Sequence, residues 1–146
     1  GEAVGHGMKP AAKDVQTVKA FLEAEAWPGP ALVIAYSPCV AHGIDMSQTM
    51  VHMRDAVHSG HWPLYRYRPG AEEHEQPFQL DSHTPDRPFR EFAMTEGRFA
   101  MRARSDPERA DQLFSLAQAD VDERWRYYEQ LAGIERTMPP SEGDEP

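Results

Sequence analysis

Residues Ala31-Leu32-Val33-Ile34-Ala35-Tyr36 place six apolar side chains in a row, and no other feature of the chain restricts its fold as much. The run does not alternate, so it is not a strand with one wet face. It reads as a strand buried on both faces, the habit of a central strand in a parallel sheet. Ala11 to Ala26, just ahead of it, reads as a helix, with Val15, Val18 and Leu22 on one face and Phe21 beside them. Pro28-Gly29-Pro30 stops that helix. Helix, short turn and buried strand make half of a doubly wound α/β unit.

The rest of the chain offers less sheet. Ser37-Pro38-Cys39 breaks the strand, and Met46, Met50, Met53 and Val57 mark a second amphipathic helix, with Asp45 as N-cap and Gly60 as stop. Trp62 to Arg68 alternates bulky and basic residues, which suits an exposed edge strand. Pro69 to Gln76 is a polar loop, and Phe78 to Asp81 is a short extended piece. Asp86 and Pro88 open a helical turn with Phe89 and Phe92 facing inward, and Gly97 ends it. Arg98 to Arg104 is basic and mixed. Ser105-Asp106-Pro107-Glu108 is a capping box, and the helix behind it carries Ala110, Leu113, Phe114, Ala117, Val121, Trp125, Tyr128 and Leu131 on one stripe up to Gly133. The organisation expected is a flexible N-terminus over 1–10, one domain over 11–133 and a disordered acidic tail over 134–146.

Composition sharpens the problem set by the apolar strand. Leu, Ile, Val and Phe supply only 24 of the 146 residues, a thin core. A central strand needs backbone partners on both sides, yet no second strand of the same kind is present. The chain therefore reads as part of a larger sheet, completed by further polypeptide or by a partner subunit. A net charge of −9 argues against nucleic-acid binding. No window approaches a membrane span, and GEAVGHGMKP lacks the apolar region of a signal peptide. The single cysteine, Cys39, excludes an internal disulfide and suits a reducing, cytoplasmic setting.

Cys39 follows the apolar strand, and ligands gather at the carboxyl ends of strands in open α/β sheets. Its thiol can be a nucleophile, a metal ligand, or simply a small buried apolar group. His42-Gly43 either lines the same crevice or turns the chain into the next helix. The seven histidines (6, 42, 52, 58, 61, 74 and 83) show no metal-ligand spacing: His58 and His61 lie three apart, but Gly60 ends the helix between them. They read as surface or turn residues. Arg98, Arg102 and Arg104 either meet an acidic surface, or are solvated or paired with their own acidic neighbours, the commoner case for such a run. No carboxylate pair stands out as an acid/base couple, and no glycine pattern forms a phosphate cradle.

Several longer phrases carry a resemblance. Gln16 to Ala26, Pro28-Gly29-Pro30-Ala31-Leu32-Val33-Ile34-Ala35-Tyr36-Ser37-Pro38-Cys39, Ala41 to Ser47, Ser59-Gly60-His61-Trp62-Pro63-Leu64-Tyr65-Arg66-Tyr67, Pro77 to Ser82 and Arg98-Phe99 resemble, in order, the C-terminal thiamine-diphosphate domain of pyruvate:ferredoxin (flavodoxin) oxidoreductases. The resemblance runs from about Ala11 to Ala132. It implies an α/β fold, the C-terminal part of a thiamine-diphosphate-binding fold with an incomplete parallel sheet flanked by helices and a long helix after it. It implies the cofactors thiamine diphosphate, Mg2+ and 4Fe–4S clusters, and the oxidative decarboxylation of pyruvate to acetyl-coenzyme A and carbon dioxide. Electrons pass through the clusters to ferredoxin or flavodoxin. In this family the cysteine of the A-Y-x-P-C phrase, here Cys39, ligates the 4Fe–4S cluster nearest the thiamine. The family's glycine-aspartate-glycine motif and metal-binding asparagine precede the region this chain resembles, and a cluster needs four thiolates where the chain has one. The expected partner is thus the remainder of the oxidoreductase or a second subunit, with the isolated chain inactive. Two other classes are a non-catalytic assembly module derived from that domain and a stand-alone zinc or redox protein using Cys39 and the histidines.

Overall fold

The computed structural model describes residues 2–7, 14–69 and 76–135. Its elements run β1 (Glu2–Gly7), α1 (Asp14–Ala26), β2 (Ala31–Tyr36), α2 (Thr49–His58), β3 (Tyr65–Tyr67), β4 (Phe78–Leu80), α3 (Phe89–Ala93), α4 (Gly97–Ser105) and α5 (Pro107–Ala132). The fold is α/β and mostly helical, and α5 is the long C-terminal helix expected from its periodicity. The four strands form one sheet in the order β2-β1-β3-β4. It is mixed rather than parallel: β1 pairs with β2 in parallel (Glu2↔Ala31 to Gly7↔Tyr36), whereas β1–β3 and β3–β4 are antiparallel.

Two strands sit where the sequence did not put them. The stretch 1–10, expected to be flexible, contains β1, which is hydrogen-bonded to β2 on one side and β3 on the other. Backbone pairing, not side-chain hydrophobicity, makes this a strand, so no apolar run announces it. β3, expected at an exposed edge, is interior because its basic residue is neutralised. Arg66 Nε and Nη2 donate to Asp81 Oδ2 and Oδ1, both at 2.9 Å, and Nη1 donates to both carboxylate oxygens of Glu23 at 3.0 Å. This fork ties α1 to β3 and to the residue after β4, and holds the guanidinium charged. The acidic tail from 136 onward lies outside the described residues.

β2 is the larger correction. It forms as expected but lies at the sheet edge, with Leu32 57% and Ile34 39% exposed. The described part of the apolar stripe of α1 is open too, with Val18 55%, Phe21 54% and Leu22 58% exposed, while Ala20 is buried. Among the described residues, Val18, Phe21 and Leu22 of α1 and Leu32 and Ile34 of β2 are thus apolar side chains left largely uncovered.

The core lies among the helices, and Tyr36 at the end of β2 packs against it. Ala56 of α2, Phe89, Phe92 and Ala93 of α3, and Ala110, Phe114 and Val121 of α5 form one buried cluster. The α5 stripe turns inward as its spacing requires, although Leu113 remains partly exposed. The α5 cap is Asp106, which accepts from the Arg109 N–H at 3.2 Å, with Pro107 in the first turn. The box read at Ser105 is therefore one residue early. Asp86 does not cap α3; it accepts from His58, and the Phe89 N–H is satisfied by Gln118 Oε1 at 2.7 Å. Gly97 begins α4 rather than ending a helix. The methionine helix is split: Asp45 caps a 3₁₀ turn over Met46–Gln48, and α2 then buries His52, Met53, Asp55 and Ala56.

Gly60 follows α2 with φ of +69°, and a Cβ there would stand 2.7 Å from Pro85 Cγ and 2.9 Å from Val121 Cγ1. Gly60→Ala should therefore combine left-handed strain with overpacking and cost roughly 2–4 kcal/mol. Urea unfolding followed by circular dichroism measures this. A change within a few tenths of a kcal/mol would show that the α2–α5 contact is looser than described.

Candidate functional site

The carboxyl end of β2 is where the chemistry-bearing residues gather. Tyr36 ends the strand, Pro38 is buried, and Cys39 is exposed. The reading of Cys39 as a small buried apolar residue is thereby overturned: its thiol faces outward at a strand end. Val40–His42 then forms a 3₁₀ turn, with the His42 N–H donating to the Cys39 carbonyl at 3.0 Å and the Gly43 N–H to the Val40 carbonyl at 2.9 Å. His42 is exposed and closes this turn, so the structure favours the turn role.

Gly43 fixes the loop to the rest of the fold. It has φ of +69°, and a Cβ on it would lie 3.0 Å from Gly97 Cα. The Gly97 N–H donates to the Gly43 carbonyl at 3.1 Å. Two glycines thus let the backbone after Cys39 rest directly on the start of α4.

Beneath this contact lies a buried polar network that the sequence did not reveal. His52 and Glu96 are both nearly inaccessible. His52 Nδ1 is 3.1 Å from Thr95 Oγ1, and that hydroxyl donates to the Phe92 carbonyl at 2.7 Å. With its hydrogen spent, Thr95 can only accept, so Nδ1 carries the imidazole proton. Neutral His52 Nε2 is then an acceptor for the Tyr36 hydroxyl at 3.0 Å. Glu96 Oε1 lies 3.4 Å from the same nitrogen, and Arg98 Nε donates to Glu96 Oε2 at 2.6 Å. Burial, followed by the charge of Glu96, pushes the Tyr36 phenol up to about 12. Burial outweighs Glu96 and Asp55 at His52 and lowers its pKa; burial and then Arg124 lower that of His61. The signals available in sequence were slight. His52 lies one turn before Ala56 on the buried face, and Glu96-Gly97 opens α4.

The other candidates do not converge here. His58 Nδ1 meets Asp86 Oδ1 at 2.7 Å on the surface, whereas the His61 ring packs on Phe92 at 4.9 Å. His74 lies outside the described residues, and His83 is exposed. Arg98 pairs with Glu96 and Arg102 with Asp106, the local pairing expected of such a run. Among the described residues, no group of three or more His, Cys, Asp or Glu side chains is placed to hold a metal ion. Cys39 alone is one donor, so these residues do not by themselves form a site for a four-thiolate cluster. Nor is any described helix long and apolar enough to cross a membrane.

Comparison with known proteins gives one consistent match. The chain is 50% identical over 128 residues to the pyruvate-flavodoxin oxidoreductase of Trichormus variabilis, covering 87% of this chain and 11% of that protein. It is 47% identical over 118 residues to the pyruvate:ferredoxin oxidoreductase of Moorella thermoacetica, covering 80% and 10%. With the pyruvate-flavodoxin oxidoreductase of Klebsiella pneumoniae it shares 45% over 123 residues, covering 82% and 10%. The chain corresponds to one segment of such oxidoreductases. It spans about a tenth of the length of the curated relatives it matches. No protein-family model matches it. The chain that matches these proteins carries the open β2 edge, the Cys39 loop and the Tyr36–His52–Glu96 network.

Buried His52 and half-buried His61 give the fold a defined pH dependence. Their folded pKa values are lowered, so below the ordinary value of about 6.5 the unfolded chain takes up protons that the folded chain refuses. Stability is therefore full above that value and falls on acidification, by up to about 1.4 kcal/mol per pH unit for each histidine. Thermal unfolding between about pH 7 and pH 5 should show this slope, and His52→Asn should make it shallower. A pH-independent melting temperature would contradict the neutral assignment.

Proposed function

We propose that this chain completes the thiamine-diphosphate domain of a pyruvate:flavodoxin or pyruvate:ferredoxin oxidoreductase, and that it is inactive alone. The observation that carries this reading is β2. It is an apolar strand with one edge unpaired in the described sheet and with Leu32 and Ile34 exposed, beside an equally open α1 stripe. Such a surface is the wall of a larger core. Polypeptide from the rest of an enzyme roughly ten times longer is its natural cover.

In this reading Cys39 supplies one of the four thiolates of a 4Fe–4S cluster, with three from elsewhere in the enzyme. Its exposure and its place after β2 support that role. Thiamine diphosphate and Mg2+ are held by residues outside this chain. Pyruvate and coenzyme A are the substrates of the whole enzyme, ferredoxin or flavodoxin takes the electrons, and the setting is the reducing cytoplasm. The chain's own contribution is to hold the sulfur at a fixed strand end, braced by Gly43 on Gly97.

The open face serves equally well if the segment is a non-catalytic assembly module, and the experiment separates the two. The 146-residue chain with thiamine diphosphate, Mg2+, coenzyme A and pyruvate should reduce no dye. In the whole oxidoreductase carrying this segment, Cys39→Ala should abolish the electron paramagnetic resonance signal of one cluster and the pyruvate-dependent electron output. Unchanged cluster content and turnover would assign the segment to assembly, and dye reduction by the chain alone would overturn its incompleteness.

A further inference from the structure

A cavity of about 150 Å3 lies between Ile34 of β2, the His61–Tyr65 stretch after α2, and Arg124 and Tyr128 of α5. Two polar atoms of its lining residues, Trp62 Nε1 and Arg124 Nε, are buried and have no hydrogen-bond partner. Both are donors that cannot accept. Arg124 is held by its other end: Nη2 donates to the Gly60 carbonyl at 2.9 Å and the His61 carbonyl at 3.1 Å. These acceptors are neutral, and among the described residues no carboxylate pairs with the guanidinium. Among the described residues, none that lines the cavity is acidic.

The remaining walls decide the kind of ligand. His61 is kept neutral by burial and by Arg124. The Tyr65 and Tyr128 rings lie 5.4 Å apart and, with Ile34, make apolar sides. Two orphaned donors, one carrying unbalanced charge, call for an anionic acceptor. The small volume and aromatic walls suit a group with a flat charged end and a short apolar body.

We propose that this cavity binds a carboxylate, accepted by the Trp62 indole N–H and the Arg124 Nε–H. The group comes either from a small free acid or from an Asp or Glu of polypeptide outside this chain. The site itself rests on residues of this chain alone, whereas the polypeptide source rests on the reading of the chain as part of a longer enzyme.

The test is a ¹⁵N–¹H correlation spectrum of the 146-residue chain, which shows three tryptophan indoles. The Trp125 indole already donates to Glu129 at 2.8 Å and is the internal reference. Propionate should move the Trp62 indole and Arg124 Nε–H resonances downfield and saturably, leaving Trp125 in place. Propionamide should not. Trp62→Phe keeps the ring, loses the donor, and should weaken the Arg124 response about tenfold. No movement with propionate, together with an Asp or Glu oxygen within hydrogen-bond distance of Trp62 Nε1 in a crystal structure of the whole enzyme, assigns the carboxylate to the longer polypeptide. Neither result, or an equal response to propionamide, overturns the proposal. The crystallographic arm decides the matter if the short chain aggregates.

Discussion

A β-strand in a sheet carries hydrogen-bonding groups on both edges, and among the described residues β2 has a partner on one. That constraint organises the rest of the molecule. β1 satisfies the inner edge over its full six-residue register. On the outer side, Leu32 and Ile34 meet solvent, and so does the stripe of α1. An open apolar edge invites pairing with another chain, which is why a segment of a longer polypeptide accounts for it better than a self-sufficient domain does.

The helical core is built to be finished. α3 inserts Phe89 and Phe92 between α2 and α5, and three charged or titratable groups buried nearby are paired. Asp55 is met by Arg87, Glu96 by Arg98, and His52 by Tyr36 and Thr95. A buried carboxylate without such partners would be costly, so the network constrains where the end of β2 and the start of α4 can lie. The Cys39 loop hangs from these two points.

Much of this was legible in the residues, and the remainder was not for physical reasons. α5 announced itself through a 26-residue helical period and a cap, and β2 through its unbroken apolar run. β1 was not legible, because its identity comes from backbone pairing on two sides rather than from side chains. β3 was misplaced to an edge because Arg66 reads as a solvent residue until Glu23 and Asp81, distant in sequence, surround it. The location of Cys39 after the strand was readable; its exposure was not. The buried network was hidden for a similar reason. A single histidine inside a methionine-rich helix and a single glutamate before a glycine mean nothing until the fold brings them within 3.4 Å.

The two facing glycines have a mechanical consequence. Because neither Gly43 nor Gly97 carries a Cβ, the loop bearing the sulfur and the first turn of α4 touch main chain to main chain, with a 3.1 Å hydrogen bond across the seam. No flexible side chain lies between them to absorb a displacement. A tilt of α4 therefore bears directly on the backbone of Gly43, four residues after Cys39. An adjacent subunit pressing on that helix would have a direct handle on the position of the sulfur.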